Sequence, residues 1–376
     1  MRFRYSAAEA GTPVKKAAVY TQNEHKINFK DVDSHAVYII GRLQACGYET
    51  YIVGGAVRDL ILGEKPKDFD IVTSASPGRI KKIFRNARII GRRFRLVHIF
   101  FGTKIFEVST FRSIKDGLTS NTFGTIEEDV LRRDFSLNAL FYDPVKQLVV
   151  DYVEGMRDIK KRIIRPLIDL SHIFTDDPVR IIRAVKYAAI TGFKLPVFLR
   201  WKIRKHSHLL TNVSPSRLTE EIFKIIHSSH TREIVEALDN LKIYCYLQPG
   251  ASELFRTMPG FRSRYLNTMN ALNVEAARDC YGKALSALIK DYLEEEADWD
   301  GSRPGDDPSH YPNDVPLPLA ERYKNAFVLA RKFVLPMNPP KMELEEALKL
   351  LFAEHGVSIK RIRFYDRYKR KRVANG

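Results

Sequence analysis

Near Ile164 the hydrophobic pattern of this 376-residue chain changes its period. Before that point, short apolar and β-branched segments recur between glycines, at 51–53, 69–72, 88–90, 96–101 and 105–111, and each predicts a strand. Helical spacing interleaves them. One helix is predicted over 36–46 with Gly47 as its stop. A second runs through Val57, Leu60 and Ile61 to Gly63, and a third opens at Ser76-Pro77, with serine as cap and proline in the first turn. After Ile164 only helical spacing persists, over 178–189, 217–226, 234–241 and 284–293. The change of period predicts an α+β chain: a head over 34–165 with a mixed sheet and helices, then an all-helical neck and body over 166–293.

The flanks read differently. Residues 1–33 carry no clear apolar period and are expected to form a basic, partly ordered arm. Residues 294–314 hold eight acidic side chains against Arg303 alone, with three prolines and two glycines, which predicts an acidic, proline-rich linker. A helical segment and a basic tail over 315–376 complete the chain. Within 357–376 there are eight basic residues and one acid, with Phe364, Tyr365 and Tyr368 among them. Such a stretch is either a frayed basic end or an RNA-binding arm, with Arg367, Lys369, Arg370, Lys371 and Arg372 on phosphates and bases stacked on the rings.

Charge narrows the partners. With 62 Lys and Arg against 45 Asp and Glu, the net charge is +17, an excess that calls for a polyanion such as nucleic acid or an anionic membrane surface. No run approaches the ~20 apolar residues that a spanning helix needs. The amino-terminal stretch has early charges but no apolar core, so a secretory signal is not expected. Cys46, Cys245 and Cys280 are far apart and form no CxxC pair, which fits a reducing, cytoplasmic setting and disfavours thiolate zinc.

The chemistry concentrates in a few places. Gly54-Gly55 joins a strand to a helix carrying Arg58, a turn whose backbone can approach an anion closely, although most such turns are only turns. Thirteen residues beyond Gly55 comes Asp68-Phe69-Asp70. On a strand these two carboxylates would face one side, where they repel unless a cation lies between them, and hard oxygen donors favour Mg²⁺. A solvated strand edge is the bland alternative, made less favourable by the nearby Gly-Gly turn. Glu107 would join the pair if its strand is adjacent; otherwise it is a surface residue. Arg132, Arg133, Asp134 and Asn138 combine cations, a carboxylate and an amide before an apolar helical turn. Asp177 and Arg180, three apart at a helix start, could read a base edge or form an intrahelical ion pair.

Taken in order, GGAVRDLILG, KDFDIVT, EVSTFR, RRDFSLNAL, DYVEGMRDI, DDPVRIIRAVKYAA and SPSRLTEEIFKII resemble the class II polymerase β-like nucleotidyltransferases, over roughly residues 45–250. That group holds the tRNA CCA-adding enzymes and the bacterial poly(A) polymerases. The segment 89–99, IIGRRFRLVHI, resembles the poly(A) polymerase branch. The resemblance implies template-independent addition of AMP from ATP to RNA 3′ ends by a monomer using two Mg²⁺ ions, with Mn²⁺ as a substitute. CCA addition to tRNA is the alternative, and a catalytically silent RNA-binding protein of the same fold is an alternative of another class. It implies metal binding by Asp68 and Asp70, with Glu107 supporting catalysis. It also implies triphosphate contacts from Gly54, Gly55, Arg58 and Arg112, with Asp59 supporting the turn. Arg133, Asp134 and Asn138 would hold ribose and phosphate. Asp177 and Arg180 would shape the base pocket, buttressed by Arg217. Asp176 stands where the family commonly has Glu, and the chain beyond the acidic linker has no convincing counterpart.

Overall fold

The computed structural model describes residues 2–7, 13–91, 96–113, 122–272, 280–299 and 317–359. The chain divides into two compact units: Met1–Arg180 with Thr191–Lys202, and Ile181–Ile190 with Ile203–Gly376.

The first unit is built on a nine-stranded mixed sheet. Its strands are β1 (Arg2–Ala7), β2 (Pro13–Tyr20), β3 (Thr50–Val53), β4 (Asp70–Thr73), β5 (Ala87–Ile90), β6 (Leu96–Phe101), β7 (Lys104–Thr110), β8 (Leu140–Asp143) and β9 (Leu148–Asp151). Their spatial order is β1-β2-β9-β8-β3-β4-β7-β6-β5. Only β4 and β7 pair in parallel; the other neighbours are antiparallel. The central strand β3 is buried along its whole length, because both faces of the sheet are covered. On one face Tyr51, Val53, Val72, Phe111, Phe141 and Val150 form a continuous apolar cluster. Between β3 and β4 the polar pair Thr50 and Thr73 is buried with its hydroxyls joined by one hydrogen bond of 2.8 Å, and the Thr50 hydroxyl also lies within hydrogen-bond distance of the Tyr48 carbonyl.

Three predicted helices of the head form where local chemistry placed their ends. Helix α1 (Ser34–Ala45) starts on Asp33, whose carboxylate accepts the His35 N–H at 2.8 Å, and Gly47 follows it in the left-handed region. Helix α2 (Gly55–Leu62) stops at left-handed Gly63. Helix α3 (Pro77–Ile83) opens behind Ser76, although the serine side chain makes no capping bond. Helix α4 (Ile126–Leu131) begins in a capping box between Thr125 and Glu128. Helix α5 (Gly155–Lys161) is held by Asp151, which accepts the N–H groups of Val153, Gly155 and Met156 at 3.0 Å each.

Three expectations are corrected. The arm expected over 1–33 is not separate from the sheet: β2 pairs with β9, placing Tyr20 opposite Val149, and β1 extends that edge. Its apolar residues are few, but Ala17, Ala18 and Val19 are all buried. The helical turn expected after Arg133 is a single 3₁₀ turn, Ser136–Asn138, and Leu140 then enters β8. Glu294, Glu295 and Glu296 are not linker but the last turn of the helix Tyr281–Glu296, whose apolar face is buried by Leu285, Leu288, Ile289 and Leu293.

The second unit is helical among its described residues. A buried carboxylate organises part of it. Glu221, on Pro215–Ile226, is 2% exposed and lies within 3.3 Å of Arg183, Lys186 and Lys224. Burial pushes its proton affinity up, yet the three cations prevail and hold the carboxyl below the usual glutamate range. Most of the basic tail, with Arg367, Lys369, Arg370, Lys371 and Arg372, and most of the acidic linker lie outside the described residues.

Candidate active site

The site is built where β3, β4 and α2 meet. Gly54 has φ 73° and ψ −135°, a region that only glycine occupies without strain. A Cβ added there would lie 3.8 Å from Asp70 Oδ2 and 4.0 Å from Arg133 Nη1. Backbone, carboxylate and guanidinium therefore converge on one point. Register brings them together: Val53, the last residue of β3, pairs with Asp70, the first of β4. The parallel pairing of Ile71 with Val108 sets Glu107 of β7 beside Asp70. Asp68 lies ahead of β4 rather than on it, in an exposed loop, so the expectation that both aspartates alternate along one strand is corrected. The strand starts later because it pairs only from the residue opposite Val53.

Water reaches Asp70, yet protein surrounds it on most sides. Burial first, then the negative charges of Glu107 and Asp68, raise its carboxyl to about 6 against the opposing pull of Arg133. Among the described residues no three His, Cys, Asp or Glu side chains form a ready-made metal cage. The mutual repulsion around Asp70 is nonetheless what a divalent cation would relieve, and hard carboxylate oxygens suit Mg²⁺. The residues present fit that group: Asp68 and Asp70 would be its ligands, with Glu107 alongside.

An arginine layer lies behind the turn. Arg58 is buried; its Nε donates to Asp59 Oδ1 at 2.8 Å and its Nη1 to Asn138 Oδ1 at 2.9 Å. The resemblance assigns Arg58 to the triphosphate, but the guanidinium as placed braces the Gly-Gly turn against Asn138. Arg133 donates to Asp129 at 2.9 Å and to the Asn138 carbonyl at 3.0 Å, with its guanidinium over the Phe141 ring. Asn138 thus couples both arginines, one through its side chain and one through its backbone. Half-buried Arg132 has its proton affinity lowered by burial and then by the charges of Arg112 and Arg133. Three cations close enough to repel make a field that favours a polyphosphate.

Two residues outside the predicted set complete this layer. Asp129 is 6% exposed, accepts both the Arg112 N–H and the Arg133 guanidinium, and so ties two elements together. Its only sequence signal was the four-residue spacing to Arg133. Gly124 packs against the backbone of Arg112 so closely that a Cβ would fall 2.5 Å from Ser113 N.

Of the base-pocket candidates, Asp177 and Arg180 lie in the first unit. Helix α6 (Val179–Thr191) begins after Pro178, and the carboxylate of Asp177, just ahead of it, accepts the Val179 N–H at 3.2 Å. Arg180 is buried. It donates to Asp134 Oδ1 at 2.8 Å and to the Ile173 carbonyl at 3.1 Å. Arg180 is thus joined to a carboxylate 46 residues away in the sequence. Arg217 lies in the second unit, on an exposed position of Pro215–Ile226.

The description "Poly A polymerase head domain" matches residues 50–165, and "Probable RNA and SrmB- binding site of polymerase A" matches residues 192–255. Poly(A) polymerase I of Escherichia coli O6:H1 is 38% identical over 266 residues, covering 66% of this chain and 57% of that protein. The CCA-adding enzyme of Geobacillus thermodenitrificans is 35% identical over 224 residues, covering 58% of this chain and 55% of that one. The chain spans a little over half the length of the curated relatives it matches. Among solved structures, the Bacillus stearothermophilus CCA-adding enzyme in complex with CTP is similar with a TM-score of 0.55 and 26% identity, over 85% of this chain and 82% of that one.

Proposed function

This chain belongs to the class II nucleotidyltransferases, and we propose that it adds AMP from ATP to RNA 3′ ends without a template. The observation that carries the reading is the convergence of Gly54, Asp70 and Arg133 on one point, with Glu107 beside it. The RNA 3′-oxygen attacks the α-phosphorus of ATP, the bond to the bridging oxygen breaks, and pyrophosphate leaves. Asp68 and Asp70 would hold Mg²⁺, which when bound lowers the pKa of the attacking hydroxyl and neutralises charge on the leaving group. The chain's own part is positional and electrostatic. The Gly54-Gly55 turn lets phosphate approach the backbone. Arg133, fixed by Asp129 and Asn138, faces charge developing on the phosphates, with Arg112 and Arg132 adding to the field. Arg58 keeps the turn in place from behind.

The choice of ATP rests on identity, 38% to a poly(A) polymerase I and 35% to a CCA-adding enzyme. The test is extension of a labelled RNA with each nucleotide supplied separately. A long ladder with ATP alone is the expected result. Addition confined to completing CCA on a truncated tRNA would replace the reading by CCA synthesis. Tight RNA binding with no extension by any nucleotide would leave a binding protein.

A further inference from the structure

The first unit contains a cavity of about 870 Å³ that involves none of the residues of the proposed catalytic cleft. It lies toward the far end of α2, where Ile61 contributes, six residues or roughly 9 Å along the helix from Gly55. Its apolar floor is Ile61, Met156 and Ile159, with the half-buried Tyr20 ring alongside. Around it stand Lys26, Lys160 and Lys161, all exposed. Arg157, also on the lining, is paired with Glu154 at 2.7 Å, whereas among the described residues no ion pair engages the three lysines. The acid on the lining, Glu24, is turned back on its own turn, accepting from Thr21 N at 2.9 Å and Thr21 Oγ1 at 3.0 Å.

An apolar floor beside unneutralised ammonium groups, in a volume within the ~300–1,000 Å³ range of small-molecule sites, suits a ligand that is flat and apolar at one end and anionic at the other. We propose that this cavity is a second nucleotide-phosphate site, in which Lys26, Lys160 and Lys161 hold phosphate and the base rests on the floor beside Tyr20. The nucleotide is either free or a unit of an RNA strand. The bland account is that Lys160 and Lys161, in the last turn of α5, only offset the partial negative charge of the helix end.

The test uses the full chain carrying Lys160→Glu and Lys161→Glu, with Lys81→Glu and Lys82→Glu, two exposed lysines of α3, as an equal change of charge elsewhere. Affinity for oligo(A) and for AMP is measured without Mg²⁺ and without turnover, so failure of nucleotide addition would not affect the result. If the source is an RNA strand, oligo(A) binding falls about tenfold more in the cavity variant than in the control, with a shallower dependence on salt. If the source is free nucleotide, AMP binding falls instead. In both cases Tyr20→Leu weakens the same ligand while leaving inorganic polyphosphate binding unchanged. Equal losses in the cavity and control variants, or a lower Tm without a change in either ligand, would overturn the proposal.

Discussion

At the scale of single residues, Asp70 is the most consequential. Its carboxyl titrates near 6 where an ordinary aspartate titrates near 4, so without metal the folded state binds its proton more tightly than the unfolded state does. The sign follows: stability attached to this group is intact below the unfolded value and is lost as pH rises through about 6. Asp70→Asn is therefore expected to abolish nucleotide transfer and yet raise Tm at pH 7.5 in chelator, with little change at pH 4. Mg²⁺ should raise the Tm of the native chain and not of the variant. An unaltered Tm at pH 7.5 would show that Asp70 feels no repulsion. Arg180 presents a different case. Buried against Asp134 and the Ile173 carbonyl, it holds the segment after Arg133 to the start of α6. Arg180→Ala is expected to reduce kcat/KM for ATP and CTP in parallel and to lower stability by ~1–3 kcal/mol, the cost of stranded hydrogen-bonding partners. A selective loss of ATP use, with Tm unchanged, would restore a base-reading role.

At the scale of elements, interactions distant in sequence fix the helices that carry charge. Glu221 accepts from Arg183 and Lys186 of α6 and from Lys224 on its own helix. Removing one member of such a buried group leaves charge uncompensated, at ~3–5 kcal/mol. Glu221→Ala should cost about that much in a denaturant titration, whereas Glu220→Ala, exposed and paired with Lys224 at the surface, should cost under ~1 kcal/mol. The carboxyl of Glu221 lies below its ordinary value, so its contribution is present above the unfolded pKa and is lost as acid carries it through the folded one. Similar losses for the two variants would remove Glu221 from this organising role.

At the scale of the whole molecule, the +17 charge is expected, under the proposed function, to govern encounter with RNA. No helix among the described residues is long and apolar enough to cross a membrane. Affinity for single-stranded RNA should fall as a power of salt concentration, with an exponent of roughly 0.7 per phosphate contacted. Removing 360–376, which carries eight basic residues and one acid, should make that dependence shallower while single-turnover chemistry at saturating RNA changes little. An unchanged slope would make the tail a passive extension.

How much of this was legible depends on the range of the interaction. Strands β5, β6 and β7, the stops at Gly47 and Gly63 and the opening of α3 were readable because propensity and capping act within a few residues. The family motifs carried the candidate residues for the same reason, each being a short run of fixed chemistry. Strands β8 and β9, four residues each, and the longer amino-terminal strands were not readable: segments without a clean alternation acquire their conformation from the neighbours they pair with. The same limit applies at the site. Gly54, Asp68, Asp70 and Glu107 could be named from sequence, but that Asp68 stands off the strand while Glu107 adjoins Asp70 follows from strand register. Spacing offered Asp177 and Arg180 as readers of a base edge or as an intrahelical ion pair; that Arg180 meets Asp134 came only from packing, because a buried guanidinium binds the carboxylate the fold brings to it. The sequence alone determined which chemical groups are available, through local order, and the tertiary structure decided which of them meet, through contacts that no local pattern encodes.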